Sequence, residues 1–168
     1  PSDAHDAQQE AHDSCEQLLR CGTAEQTAGM VQRLAMAHGF DHFLYGVRIP
    51  MEGGSVFERV LTNYPDSWRR TYQDSRYADI DPTVRHCTRR VTPLTWDADI
   101  YVSREQMDMF EQARSFGLRS GISIPVHGCY GETAMLSLAM DGDDARADRF
   151  IERAAPLAQR LASFAHES

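Results

Sequence analysis

Lysine is absent from this sequence of 168 residues, so all 17 basic side chains are arginines. Acidic residues outnumber them and give a formal net charge of −8. A protein that holds nucleic acid by its phosphates needs a basic face, and the net acidity argues against one here. We attribute the missing lysine to coding bias rather than to a binding site.

Long apolar runs are missing as well. No segment approaches the roughly 18 apolar residues that a membrane-spanning helix needs, and the polar, acidic N-terminus is unlike a signal peptide. We therefore expect a soluble, cytoplasmic protein with no membrane partner. Length and ordinary composition fit a single domain over residues 1–168, with residues 1–9 disordered.

Cysteine is scarce, with four residues and no Cys-x-x-Cys pair. A zinc ribbon is thereby disfavoured, and free thiols are expected in a cytosolic protein. Two short motifs, His86-Cys87 and His127-Gly128-Cys129, could suggest a metal or a nucleophile. Neither spacing matches a closed zinc site, and no third orienting group is evident. We expect no metal, no cofactor, no catalytic residue and no enzymatic activity.

Helix and strand patterns follow one another without regular alternation. Residues 40–49 and 56–62 flank a Pro- and Gly-containing turn and predict a hairpin, and residues 122–126 and 133–140 predict two further strands. Helices are predicted behind Thr23, at Pro65, behind Asp81, behind Ser103, and behind Asp143 or Asp144. This order favours an α+β fold with a largely antiparallel sheet and helices packed on it.

Three aromatic residues, Tyr64, Trp68 and Tyr72, follow one another at intervals of four positions. On a helix begun near Pro65, Trp68 and Tyr72 share one face, and Tyr64 lies just before it. Each combines a large apolar ring with a polar tip, so the set could line a cavity and still offer hydrogen bonds. The spacing alone also fits plain core packing, and Asp81 before a proline is a good helix cap without any ligand.

Longer motifs carry a resemblance to a known family. Residues 63–96 contain Asn-Tyr-Pro-x-x-Trp-Arg, then Tyr-x-x-x-Asp-Pro-Thr-Val-x-His-Cys-Thr, then Pro-x-x-Trp. This resembles the autoinducer-binding domain of LuxR-type quorum-sensing regulators, LasR-like members above all, over residues 24–164. The resemblance implies an α-β-α sandwich that forms a homodimer and binds an N-acyl-homoserine lactone. A long acyl chain is expected, with a 3-oxo group as an option.

The resemblance also assigns contacts to the lactone. Trp68 would donate to the ring carbonyl, Asp81 would accept from the amide N–H, and Tyr64 and Ser137 would donate to the amide carbonyl. These roles agree with chemistry, because an indole only donates and a carboxylate only accepts. The ligand amide would then give the buried Asp81 carboxylate a missing partner.

The other members of the implied site surround this head. Arg69 corresponds to a position near a 3-oxo group, and Thr83 belongs to the same set. The remaining residues fall into those of the lactone end (Trp96, Tyr101, Met109, Leu118 and Ser123) and those of the acyl tail (Leu44, Val60, Tyr72 and Val84).

Two positions depart from what an apolar tail would favour. Counting alternate residues back from Tyr64 puts Glu58 on the pocket face, so either it lies at the pocket mouth or the strand register slips. Thr133 stands where a longer aliphatic residue would suit a tail. Both leave the acyl-chain length and the substituent at the 3-position open.

The main hypothesis is a sensor whose ligand promotes folding, dimerisation and DNA binding by a helix-turn-helix domain that the family has and this chain lacks. The alternative is a stand-alone interaction module that pairs with another regulator without needing ligand. A natural stop codon after Ser168 would favour the module, and a downstream helix-turn-helix in the gene would favour truncation. A lactone-degrading enzyme would need a metal or nucleophile, for which the sequence offers no convincing residues.

Overall fold

A computed structural model describes residues 15–168, and the prediction made for residues 1–9 lies outside them. Five α-helices are numbered here in chain order within that range. They are α1 (Ala24–Ala37), α2 (Asp66–Asp74), α3 (Pro82–Cys87), α4 (Arg104–Ser115) and α5 (Ala145–Glu167). Short 3-10 helices occupy Gln17–Arg20, Glu52–Gly54, Tyr77–Asp79 and Ala98–Ile100.

Side-chain caps start four of these five helices where the sequence indicates, and α2 begins after Pro65 without one. The Thr23 hydroxyl accepts from the Gln26 backbone N–H at 3.2 Å, and Asp144 rather than Asp143 caps α5. Ser103 and Gln106 form a complete capping box at α4. Gly39 follows α1 with a φ of +84°, a left-handed conformation that glycine adopts without steric cost. These local signals fix the helix ends because they satisfy backbone groups that a helix leaves unpaired.

One antiparallel sheet of five strands forms the middle of the domain. Its strands are β1 (His42–Pro50), β2 (Val56–Thr62), β3 (Leu94–Thr95), β4 (Ser120–His127) and β5 (Thr133–Met140), in the order β2-β1-β5-β4-β3. The predicted hairpin is confirmed as β1 and β2, with Leu44 opposite Thr62 and Arg48 opposite Glu58. β5 lies between β1 and β4, which brings the two halves of the chain together.

The two faces of the sheet bury different layers. Phe43 and Tyr45 of β1 and Leu136 and Leu138 of β5 face one core, which also contains apolar residues of α1 and α5. The alternate residues point to the opposite face, because successive strand side chains alternate. There a second cluster contains Trp68 of α2, Met109 and Phe110 of α4, and Leu118. The α-β-α sandwich with an antiparallel sheet is thus confirmed.

Some predicted boundaries differ from those observed. The helix behind Asp81 was expected to reach about residue 90 but ends at Cys87, and α4 ends at Ser115 rather than at residue 117. Pro156 lies inside α5 without ending it. None of the helices in residues 15–168 combines the length and the apolar character that a membrane crossing requires.

Candidate ligand-binding cavity

A cavity of about 890 Å³ lies between the second face of the sheet and helices α2, α3 and α4. Its walls include fourteen of the fifteen residues that the sequence assigned to a ligand site. The exception is Ser123, which is fully buried beside Ser137 and under Trp96. The fourteen are Leu44, Val60, Tyr64, Trp68, Arg69, Tyr72, Asp81, Thr83, Val84, Trp96, Tyr101, Met109, Leu118 and Ser137.

The sheet side of the cavity is built from three cross-strand rows, each with one residue from β2, β1 and β5. The first row contains Thr62, Leu44 and Ser137, the second Val60, Gly46 and Met135, and the third Glu58, Arg48 and Thr133. All nine residues line the cavity. They share a face because they lie two residues apart along their strands.

Aromatic rings close the end of the cavity near the first row. Trp68 is only 4% exposed and lies 5.7 Å from the Tyr72 ring and 5.6 Å from the Phe116 ring. Tyr101 stacks on Phe110 with ring centroids 4.3 Å apart. Such ring pairs contribute stability beyond the area they bury, so they strengthen the packing of this end.

Two hydrogen-bond donors at this end lack acceptors. Within residues 15–168, neither the Trp68 indole N–H nor the Tyr64 phenol hydroxyl forms a hydrogen bond, although both side chains line the cavity. Burial raises the pKa of Tyr64 above its ordinary value, and the Asp81 carboxylate raises it further. The phenol therefore stays protonated and able to donate. An unpaired donor facing a cavity is available to a guest molecule.

Asp81 both caps α3 and takes part in the cavity. Its Oδ1 accepts from the backbone N–H and the hydroxyl of Thr83 at 2.8 and 2.7 Å, and its Oδ2 accepts from the Tyr72 hydroxyl at 2.8 Å. The expectation that this carboxylate lacks a partner without ligand is therefore wrong. The family resemblance assigned Tyr72 to the acyl tail, and its hydroxyl supplies the bond to Asp81.

The environment of Asp81 still disfavours its charge. Burial raises the pKa of the Asp81 carboxyl above its ordinary value, although the hydrogen bonds from Thr83 and Tyr72 oppose that shift. A carboxylate has about four acceptor positions, so Oδ2 can accept a further N–H beside Tyr72. A guest donor there would compensate part of the desolvation cost.

Ser137, the third predicted donor, belongs to a chain of hydrogen bonds that begins at Trp96. The Trp96 indole N–H donates to the Ser123 hydroxyl at 2.9 Å, and the Ser123 and Ser137 hydroxyls lie 2.8 Å apart. Ser123 lies beside Ser137 on the adjacent strand and the same face of the sheet, and the bond between their hydroxyls orients Ser137. Gly121 makes room for Trp96, because a Cβ at Gly121 would lie 3.0 Å from the indole ring and 2.6 Å from the Leu138 carbonyl oxygen.

The opposite end of the cavity is open and charged. Val60 is 51% exposed, and Glu58 lies at the mouth, where its carboxylate pairs with the Arg48 guanidinium at 2.6 Å. The strand register has not slipped, which settles the alternative raised by the sequence. Arg69 pairs with Asp66 at 3.4 Å.

Several wall residues were missed by the sequence reasoning. The period-2 alternation of β1 and β5 could have indicated the sheet residues among them, whereas the others depend on how α2 and α3 pack. Among them are Gly46, Arg48, Thr62, Arg70, Gln73, Cys87, Thr88 and Met135.

Cys87 lines the cavity, and its thiol stays protonated. Burial raises the pKa of its thiol to about 12, with a smaller contribution from the Asp81 charge. The thiolate is the nucleophilic form of cysteine, so Cys87 is unreactive near neutral pH.

Comparison with known proteins agrees with this architecture. Residues 23–168 match the model of the family described as "Autoinducer binding domain". The transcriptional activator AnoR of Acinetobacter nosocomialis is 35% identical over 114 residues, which are 68% of this chain and 48% of AnoR. SolR of Ralstonia nicotianae, also a transcriptional activator, is 31% identical over 164 residues, covering 98% of this chain and 64% of SolR.

Solved structures share the fold. CepR2 of Burkholderia cenocepacia, described as an N-acylhomoserine lactone dependent LuxR family transcription factor, superposes with a TM-score of 0.77. It is 26% identical, and the match covers 94% of this chain and 91% of that one. This chain spans about half to two thirds of AnoR and SolR. It belongs to the autoinducer-binding domain family of LuxR-type quorum-sensing transcription regulators, a family of ligand-binding domains and not of enzymes.

Proposed function

We propose that this domain binds an N-acyl-homoserine lactone with a long acyl chain and converts its presence into a transcriptional response. The observation that carries the proposal is the closed end of the cavity, where two unpaired donors, Trp68 and Tyr64, lie beside the acceptor Asp81. A lactone head has two carbonyl acceptors and one amide donor. Family membership makes this ligand class the first to test.

Each polar group of the head has a matching wall residue. In the proposed pose the Trp68 N–H donates to the lactone carbonyl, and Asp81 Oδ2 accepts from the amide N–H. The Tyr64 and Ser137 hydroxyls donate to the amide carbonyl. Trp96, Tyr101, Met109 and Leu118 enclose the ring, and Thr83 holds the Asp81 carboxylate in place.

The acyl chain then runs along the sheet. Leu44, Val60 and Val84 and the ring of Tyr72 offer it apolar contacts, while Gly46 adds no side chain to the middle of the wall. Arg69 lines the cavity, and its guanidinium suits an oxygen at the 3-position, so 3-oxo chains belong among the candidates.

The proposed signal depends on the thermodynamic coupling between ligand binding and folding. A ligand that binds only the folded state stabilises it, and we propose that the stabilised domain forms a homodimer. DNA would be contacted by a separate helix-turn-helix domain of the regulator, with two copies reading two half-sites. The net charge of −8 supports leaving DNA contact to that domain. The cytoplasmic location also stays a prediction.

Tryptophan fluorescence provides a direct test, because Trp68 and Trp96 are the two tryptophans and both line the cavity. Titration with lactones of increasing chain length should give a saturable signal. W68F removes the unpaired N–H and part of the indole ring from a side chain that is only 4% exposed, so affinity should fall by about tenfold or more and the unfolding free energy by about 1–3 kcal/mol.

W96F is the matched control for this titration. It removes a similar part of an indole ring that also lines the cavity, together with an N–H that is already bonded to Ser123. Its unfolding free energy should fall by a similar amount, and its affinity should fall less than that of W68F, because no donor to the ligand is lost. If no lactone gives a saturable signal at any chain length, with unsubstituted or with 3-oxo acyl chains, the proposed function is contradicted.

A further inference from the structure

The third row of the cavity wall is polar, unlike the second. Its members are Glu58, Arg48 and Thr133, and the Glu58 carboxylate and Arg48 guanidinium are 2.6 Å apart. The side chains of this pair are 54% and 59% exposed, which puts the row where the cavity meets solvent. We refer to these three residues as the polar row.

The distance from the proposed head site to the polar row can be read from the strand. Ser137 and Thr133 lie four residues apart on β5, which corresponds to about 13 Å along the sheet. An extended alkyl chain advances about 1.3 Å per carbon, given a C–C bond near 1.5 Å. A chain whose carbonyl lies at Ser137 therefore reaches the polar row at about its tenth carbon.

We propose that the polar row sets the upper limit of acyl-chain length, and that Arg48 and Glu58 are specificity-determining residues. The inference rests on the proposed function. Up to the row, each methylene enters an apolar wall and gains burial. Beyond it, a methylene must separate the ion pair or enter water, and neither compensates for the ordering of the added segment.

The binding series should have a break. Affinity should rise roughly fourfold per added methylene while the chain is being buried, from six carbons to about ten. It should then stay level or fall at twelve and fourteen carbons. Isothermal titration calorimetry of the full 168-residue chain with unsubstituted lactones of six to fourteen carbons measures this series.

The double variant R48L/E58L makes the row apolar. It should bind the eight-carbon lactone as the original does, because that chain ends before the row. The twelve-carbon lactone should bind about fifteenfold more tightly than it binds the original chain, since two more methylenes are buried. E58L alone provides a milder change if the double variant folds poorly.

R48Q/E58Q is the matched control, because it removes both charges and keeps a polar row of similar size. Its series should break at the same length as the original. An unbroken rise through fourteen carbons in the original chain, or an unchanged break in R48L/E58L with normal eight-carbon affinity, would overturn the polar row as the limit while leaving lactone binding intact. Failure of every lactone to bind the original chain would instead overturn the proposed function, and the inference with it.

Discussion

Asp81 combines two tasks that different substitutions can separate. Oδ1 caps α3 through Thr83, and Oδ2 accepts from Tyr72 beside the cavity. An asparagine keeps a cap acceptor of equal quality, but it turns Oδ2 into an N–H₂ donor. Tyr72 can reorient and accept from that donor, whereas a lactone amide N–H cannot.

We therefore expect D81N to lose affinity for lactone by about tenfold to a hundredfold, the usual range for a hydrogen bond to a charged group. Stability without ligand should be kept. D81A, which loses the cap as well, should be less stable by about 1 kcal/mol. Calorimetric titration and urea unfolding of both variants measure the two effects, and unchanged lactone affinity in D81N would reassign Asp81 to capping alone.

The same residue gives the unliganded domain a pH dependence with a defined sign. Because burial raises the pKa of Asp81, the folded state keeps this proton to higher pH than the unfolded chain does. Its contribution to stability thus falls as pH rises from the usual carboxyl range through the raised pKa, and it is constant above that. D81N should lack this fall when unfolding is measured over the acidic range.

At the scale of elements, the head end of the cavity depends on how closely β4 approaches β5 and Trp96. Gly121 lies at that approach, where a Cβ would meet the Leu138 carbonyl oxygen at 2.6 Å and the indole at 3.0 Å. The backbone oxygen cannot move without disturbing the β4–β5 pairing. The hydrogen bond from Trp96 to Ser123 depends on the same fit.

G121A should lower the free energy of unfolding by about 1–3 kcal/mol, as overpacking of a filled interior does. Gly29 on α1 provides the control, since a Cβ there would meet Arg33 Nη1 at an ordinary 3.7 Å. G29A should stabilise by about 0.5–1 kcal/mol, because alanine suits a helix interior better. The urea concentration at the midpoint of unfolding measures both effects. A G121A protein as stable as the original would mean that Trp96 does not pack closely against Gly121.

For the whole molecule, a space of about 890 Å³ is enclosed between the sheet and the helices α2, α3 and α4. Apolar walls around such a space lose packing partners until a guest fills it. The domain without ligand therefore has less packed interior than a domain of equal length whose core is filled. Ligand binding and stability are consequently linked.

A lactone at a hundred times its Kd should add about 2.7 kcal/mol to the free energy of unfolding. For a domain of this size that corresponds to a rise in Tm of roughly 5–10 °C. Thermal melting with and without lactone measures it, with D81N as the control, whose weaker affinity should leave only about 0.4–1.4 kcal/mol of stabilisation at the same lactone concentration. A Tm that does not respond to saturating ligand would contradict coupling between occupancy and folding.

Local features of the domain could be predicted from the sequence because short-range physics fixes them. Helix caps at Thr23, Ser103 and Asp144 need only backbone groups two or three residues away. The spacing of Tyr64, Trp68 and Tyr72 depends on helix geometry alone, and strand alternation put Glu58 on the cavity face. The family motif added which of these side chains face one another.

The elements, their faces and a set of residues that meet in one cavity therefore follow from the sequence. The partners of those residues within the cavity depend on how the elements pack together. The bond from Tyr72 to Asp81, the chain from Trp96 through Ser123 to Ser137, and the polar row all join residues from separate elements. Their distances follow from the strand order β2-β1-β5-β4-β3, which long-range packing sets and no local pattern encodes.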